Sequence, residues 1–193
     1  MILKNIYLKI LLLAGKPKSE WVLSIVSFTE SSFFPIPPDL ILLPMALSKP
    51  YKWIRLAIIT TIFSVLGGIL GYFIGVFLWD TIGENIIQIY HLEDKFNLFK
   101  NNYNQNGAII VFLAGFTPIP YKLITIASGG MNLNIFIFLL ASILSRGLRF
   151  FLLTGLIRLF GTLAKKYIEK YFALFTGLVG IIIIVVIIMW LYL

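Results

Sequence analysis

The chain has 193 residues, of which 60% are hydrophobic and 12% charged, with a net charge of +8 and no cysteine. That balance excludes an ordinary water-soluble domain, which needs far more polar surface, and it excludes disulfide or thiolate chemistry. A charge of +8 in a soluble protein would suggest nucleic acid; in a chain this apolar, basic residues retained on the cytoplasmic side account for it, and no nucleic-acid partner is expected.

Residues 1–20, "MILKNIYLKILLLAGKPKSE", start with an apolar stretch that Lys9 interrupts, and no small-residue cleavage site follows. An attached amphipathic helix lying in the membrane interface is expected there. Residues 21–48 are apolar but broken near the middle by "FFPIPPDLILL", with Pro35, Pro37, Pro38 and then Asp39. Lys49, Lys52 and Arg55 follow. Residues 56–79 are long enough to cross the hydrocarbon, which takes about 20 apolar residues. Gly67, Gly71 and Gly75 form a small-residue stripe along this span, suited to close helix contact. Residues 80–106 are polar and slightly acidic and are expected to be an external loop, with His91 a loop histidine rather than a metal ligand. Residues 107–131 are broken by "FTPIPYKLITI", with Thr117, Pro118, Pro120, Tyr121 and Lys122, and Gly129 closes the stretch. Residues 134–157 form a second span that carries Arg146 and Arg149. A basic connector, 158–170, and a last span, 171–193, complete the chain.

The two proline stretches align without a gap, Pro35-Ile36-Pro37-Pro38-Asp39-Leu40 against Pro118-Ile119-Pro120-Tyr121-Lys122-Leu123. Proline has no amide hydrogen and disfavours helix in the residue before it, so each P-x-P ends one half-helix. It also suits the first position of the next, roughly Pro37–Leu47 and Pro120–Met131. If both stretches crossed the bilayer there would be five spans, and the cluster around residue 50 would lie outside. If both enter and leave on one side, every lysine-rich segment falls in the cytoplasm, together with the N-terminus. The expected fold is therefore a single all-α integral membrane domain, an inverted repeat of two re-entrant helical hairpins each followed by a transmembrane helix. An amphipathic N-terminal helix and a C-terminal transmembrane helix flank it. Such repeats place a binding site between them, near the midplane.

Five ionisable residues fall inside apolar stretches: Glu30, Asp39, Lys122, Arg146 and Arg149. Each costs roughly 2.5–3.5 kcal/mol at the bilayer centre, so they must be paired or face water. Arg146 and Arg149 are three residues apart and share a helix face. Two guanidiniums there make a fork for a phosphate or carboxylate. Structural pairing with Glu30 and Asp39 is the plainer alternative, and the two are compatible. Lys122 opposes the positive end of its own half-helix, so Glu30, Asp39 or a bound anion should compensate it.

The strings "FTESSFFPIPPDLILLP", "GFTPIPYKLITIASGG" and "SRGLRFFLL" resemble the DedA family of bacterial inner-membrane proteins, also called SNARE-associated or VTT-domain proteins, and in particular its YqaA-like branch. The resemblance covers most of the chain, from about residue 20 to 166. It implies opposed re-entrant hairpins, membrane-lipid homeostasis, and movement of undecaprenyl phosphate or phospholipid with dependence on the proton motive force. It also implies that Glu30 and Asp39 are the family's acidic pair and Arg146 and Arg149 its arginine pair. The main branch carries arginines in its second motif; Thr117 and Lys122 stand in that region here.

Together these readings point to a transporter or flippase for an anionic lipid, polyprenyl phosphate or phospholipid, coupled to protons. Membrane lipids are the expected partners; no cofactor or metal is expected, and a homo-oligomer is left open. A secondary transporter for a small ion or solute is the alternative. Catalysis is not expected, because the apolar parts hold no histidine and Ser31 and Ser32 have no evident base.

Overall fold

The computed structural model describes residues 19–34, 36–89, 93–117, 119–161 and 163. Pro35, Pro118, His91, the arm 1–18 and the expected last span 171–193 therefore lie outside the described residues. The described chain is almost wholly helical, with no strand. We label its helices α1 (Ser19–Ser32), α2 (Asp39–Ser48), α3 (Trp53–Leu78), α4 (Glu84–Ile89), α5 (Glu93–Phe116), α6 (Tyr121–Gly130) and α7 (Ile135–Gly161).

Helix α1 stops where its last carbonyls run out of amides to accept from. The N–H groups of Phe33 and Phe34 both return to the Thr29 carbonyl, at 2.9 and 2.8 Å. The prolines then prevent continuation, and α2 begins behind Pro38, whose φ of −64° and ψ of −20° already suit a helix. Pro120 precedes α6 with φ −60° but an extended ψ of 100°, so that helix starts only after the proline. Neither proline offers a side-chain cap. Asn134 caps α7 instead, its Oδ1 accepting the Phe136 amide at 2.9 Å.

The contacts fix the helix directions. Glu20 meets Arg55, Ser27 meets Thr60 and Ser32 meets Gly67, so α1 runs parallel to α3. Leu23 packs in one cluster with Met45 and Ala46, so α2 doubles back along α1. A short link joins the end of α5 at Phe116 to the start of α6 at Tyr121, and Tyr103, in the first half of α5, bonds Ser128 near the end of α6, so the two helices are antiparallel. Tyr121 lies against Gly68 and Gly129 against Tyr72, which makes α6 parallel to α3. Ser142 reaches Tyr121 and Arg146 reaches Ser64, so α7 runs opposite to both.

The apolar core is split. One cluster joins Leu23, Leu42, Met45, Ala46, Leu56, Ala57, Phe150 and Ile157. The other joins Tyr72, Tyr103, Val111, Tyr121, Leu133, Phe138 and Ala141. Between them the broken ends of α1, α2, α5 and α6 converge on the middles of α3 and α7. Glycines allow this approach. A methyl group at Gly67 would overlap the Phe28 carbonyl, one at Gly75 the Ile126 carbonyl, and one at Gly129 the Tyr72 carbonyl. Gly129, which closes the second proline stretch, thus also serves the packing of α6 on α3.

Two helical stretches, Pro50–Ile89 and Ile135–Gly161, are long and apolar enough to cross a bilayer. Their outward faces are greasy: Ile58, Ile62, Phe73 and Phe77 on the first, and Phe136, Leu140 and Leu144 on the second, are exposed. The region 80–106, expected to be a loop, is mostly helix. α3 continues through a widened turn, Trp79–Gly83, into α4, and α5 starts at Glu93. Polarity alone does not break a helix, and there is no proline in this region. Trp79 stacks on Phe96 at 4.1 Å and ties the widened turn after α3 to α5.

Candidate functional site

Glu30 and Asp39 flank the first break, and Lys122 stands in the first turn after the second. Arg146 and Arg149 project from the middle of α7. The fold brings them to one place. Arg146 Nη2 donates to Glu30 Oε2 at 2.9 Å, and its Nε donates to Ser64 Oγ on α3 at 2.7 Å. Ser64 in turn lies 2.7 Å from Ser31 Oγ, which donates to the same Glu30 oxygen at 3.2 Å. The guanidinium lies over two rings, 4.8 Å from the centroid of Tyr121 and 4.7 Å from that of Phe150. Each such contact contributes about 0.5–2 kcal/mol, at the upper end when water is excluded. Only 4% of the Arg146 side chain is exposed. Neither ring nor Ser64 was identifiable as a partner from sequence, because each meets Arg146 only through folding.

Arg149 forms the second pair, with Asp39, through Nη2 and Oδ2. Its Nη1 donates to the carbonyls of Thr117 at 2.7 Å and Phe116 at 3.4 Å, which end α5. Thr117 thus contributes its backbone to the site; its hydroxyl turns back to the Leu113 carbonyl. Asp39 Oδ1 and Arg149 Nε are buried without a partner.

Lys122 meets neither of the two carboxylates offered for it. Its Nζ donates to the carbonyl of Phe34 at 3.3 Å and reaches neither Glu30 nor Asp39. The arginines have already taken both carboxylates, and the frayed end of α1 offers the partial negative charge that Lys122 needs. Tyr121, singled out as part of the second break, is a fully buried ring whose hydroxyl bonds Ser142. Pro37, Pro38 and Pro120 stand in the two breaks beside the charges. Ser32 is spent on the carbonyls of Phe28 and Gly67. No group of metal-ligating side chains exists among the described residues.

A second charged cluster was not anticipated. Glu20 binds Lys52 at 3.2 Å and Arg55 at 2.8 Å, where α1 and α3 begin. Burial pushes the Glu20 carboxyl up, but hydrogen bonds from Lys52 and Arg55 outweigh it and leave it below its ordinary value.

A chain with apolar side chains outside and paired charges inside inverts the arrangement of water-soluble proteins. That is the arrangement of a helical membrane protein. The VTT domain matches residues 36–159, most of the chain, and the protein belongs to the VTT-domain, or DedA, family. It is 44% identical to an uncharacterized protein of Haemophilus influenzae over 69% of each chain. It is also 35% identical to an uncharacterized protein of Histophilus somni, over 77% of this chain and 75% of that one. No solved structure matches it.

Proposed function

We propose that this protein moves an anionic lipid, a polyprenyl phosphate or a phospholipid, across the bacterial inner membrane, with protons as the coupling ion. In this reading α1–α2 and α5–α6 are re-entrant hairpins related by an inverted repeat. The opposite directions of α1 and α5, of α2 and α6, and of α3 and α7 support it. The N-terminus and the Glu20, Lys52 and Arg55 cluster lie on the cytoplasmic side. Thr117 and Lys122 in the second motif favour the YqaA-like branch.

One observation carries the reading: two arginines and two carboxylates are buried together where four half-helix ends meet. Three bases against two acids, counting Lys122, leave the centre net positive. A phosphate head group would balance that charge, and its chains would remain in lipid along the exposed apolar faces of α3 and α7.

The test is lipid movement in proteoliposomes, with and without a pH gradient. Arg146→Ala and Glu30→Ala each abolish movement while the protein still inserts. Normal rates in both variants would sink the site assignment. Uptake of a labelled solute without lipid movement would instead make the protein a solute transporter.

A further inference from the structure

The two ion pairs are not built alike. Arg146 belongs to a closed ring of bonds. Its Nε donates to Ser64, Ser64 can donate to Ser31, Ser31 donates to Glu30, and Arg146 Nη2 donates to the same carboxylate. Each hydroxyl gives one proton and accepts one, so nothing in the ring is frustrated, and such chains polarise one another. Two aromatic rings lie against the guanidinium, and one of them, Tyr121, is itself held by Ser142. Releasing Arg146 from Glu30 would disturb all of this at once.

The other pair is incomplete. Arg149 joins Asp39 through a single nitrogen and a single oxygen. Arg149 Nε and Asp39 Oδ1 are buried and unpartnered. An arginine binds an oxyanion best side-on, through Nε and one Nη together. Arg149 has that edge half used. Its third nitrogen is anchored to the Thr117 carbonyl, so the fork is held in place whether or not Asp39 stays.

We propose that Glu30–Arg146 is a permanent strut and that Asp39–Arg149 is the pair that opens, Arg149 exchanging the Asp39 carboxylate for a phosphate oxyanion bound through Nε and Nη2. The identity of that oxyanion rests on the lipid-phosphate reading above; the unequal roles of the two pairs do not. Arg149 contacts the ligand, whereas Arg146, Tyr121 and Phe150 are positioning residues.

The test uses thermal unfolding of the purified full chain in detergent, with and without dioctanoyl phosphatidic acid. Arg146→Lys, which keeps the charge but loses the fork and the flat face, lowers Tm by on the order of 5 °C. Arg149→Lys lowers it by less than about 2 °C. Phosphatidic acid raises the Tm of the wild type and of Arg146→Lys but not of Arg149→Lys. Should Arg146→Lys fail to fold, Phe150→Leu decides. It must cost more than Phe138→Leu, which trims an equally buried phenyl outside the ion pairs. Equal losses from the two lysine variants, equal losses from the two phenylalanine variants, or a normal lipid shift in Arg149→Lys each overturn the proposal. If phosphatidic acid shifts nothing, even in the wild type, while the Tm contrast holds, the strut stands and the lipid-phosphate reading falls.

Discussion

Thr125, in the first half of α6, donates its hydroxyl to the carbonyl of Ser31, the penultimate residue of α1, at 3.2 Å. The contact ties the second broken segment to the first beside the ion pairs. The hydroxyl's one proton is shared with the Lys122 carbonyl, at 2.8 Å, and Thr125 is fully buried.

Thr125→Val keeps the shape and removes the donor. We expect a loss of about 1–3 kcal/mol, because the Ser31 carbonyl cannot recruit water in its place. Thermal unfolding in detergent measures it. An unchanged midpoint would show that the two segments are not joined there.

The glycines of α3 and α7 separate into two kinds. Gly67→Ala and Gly75→Ala place a methyl group on backbone carbonyls of α1 and α6, and backbone cannot rotate away. Each is expected to cost about 1–3 kcal/mol or more. Gly147→Ala and Gly155→Ala meet nothing nearer than 3.8 and 3.6 Å. Those two gain helix propensity and should be neutral or stabilising by up to about 1 kcal/mol. Yields and melting temperatures of the four variants, compared side by side, check the division.

The cluster at the head of α1 should respond to acid. With the folded Glu20 carboxyl below its ordinary value of 4.5, its stabilisation is fully present above that value. It is lost as pH falls through the lowered folded value. The Tm difference between wild type and Glu20→Gln should therefore be constant near neutrality and vanish on strong acidification. Because Arg55 is mostly exposed, the effect should be no more than about 1 kcal/mol. A difference that grows with acidification would contradict the pairing.

Lys122 offers a charge without a carboxylate partner. Lys122→Gln can still donate to the Phe34 carbonyl, so stability should change by less than about 0.5 kcal/mol. Transport of an anionic lipid should fall about tenfold, as one lost attraction of roughly 1.4 kcal/mol would produce. Proteoliposome rates, set against unfolding midpoints of the same samples, separate the two effects.

Much of this was legible in the chain. The breaks at 33–38 and 117–120 follow from proline chemistry alone, and the shared face of Arg146 and Arg149 follows from their spacing. Burial cost made it necessary that those arginines find partners, and acids were the evident candidates. What the sequence withheld is tertiary. Ser64, Tyr121 and Phe150 are ordinary residues of apolar helices until folding sets them against one guanidinium. For Lys122 the sequence offers Glu30, Asp39 or a bound anion, because local reasoning weighs charges and overlooks the carbonyls left at a helix end, such as that of Phe34. The stretch 80–106 reads as loop from its polarity, yet it holds no proline, and the asparagines and Gly107 of α5 weaken a helix without breaking it.

The serines of α1 have a mechanical consequence. Ser27 and Ser32 are hooked onto the carbonyls of Thr60 and Gly67, each by a side chain with one heavy-atom torsion. Carbonyls recur along α3 only at fixed intervals, so α1 cannot creep past it; both hooks must let go before either catches the next. Any working stroke should therefore leave α1 and α3 coupled as one lever and place the pivot in the short link ahead of Asp39.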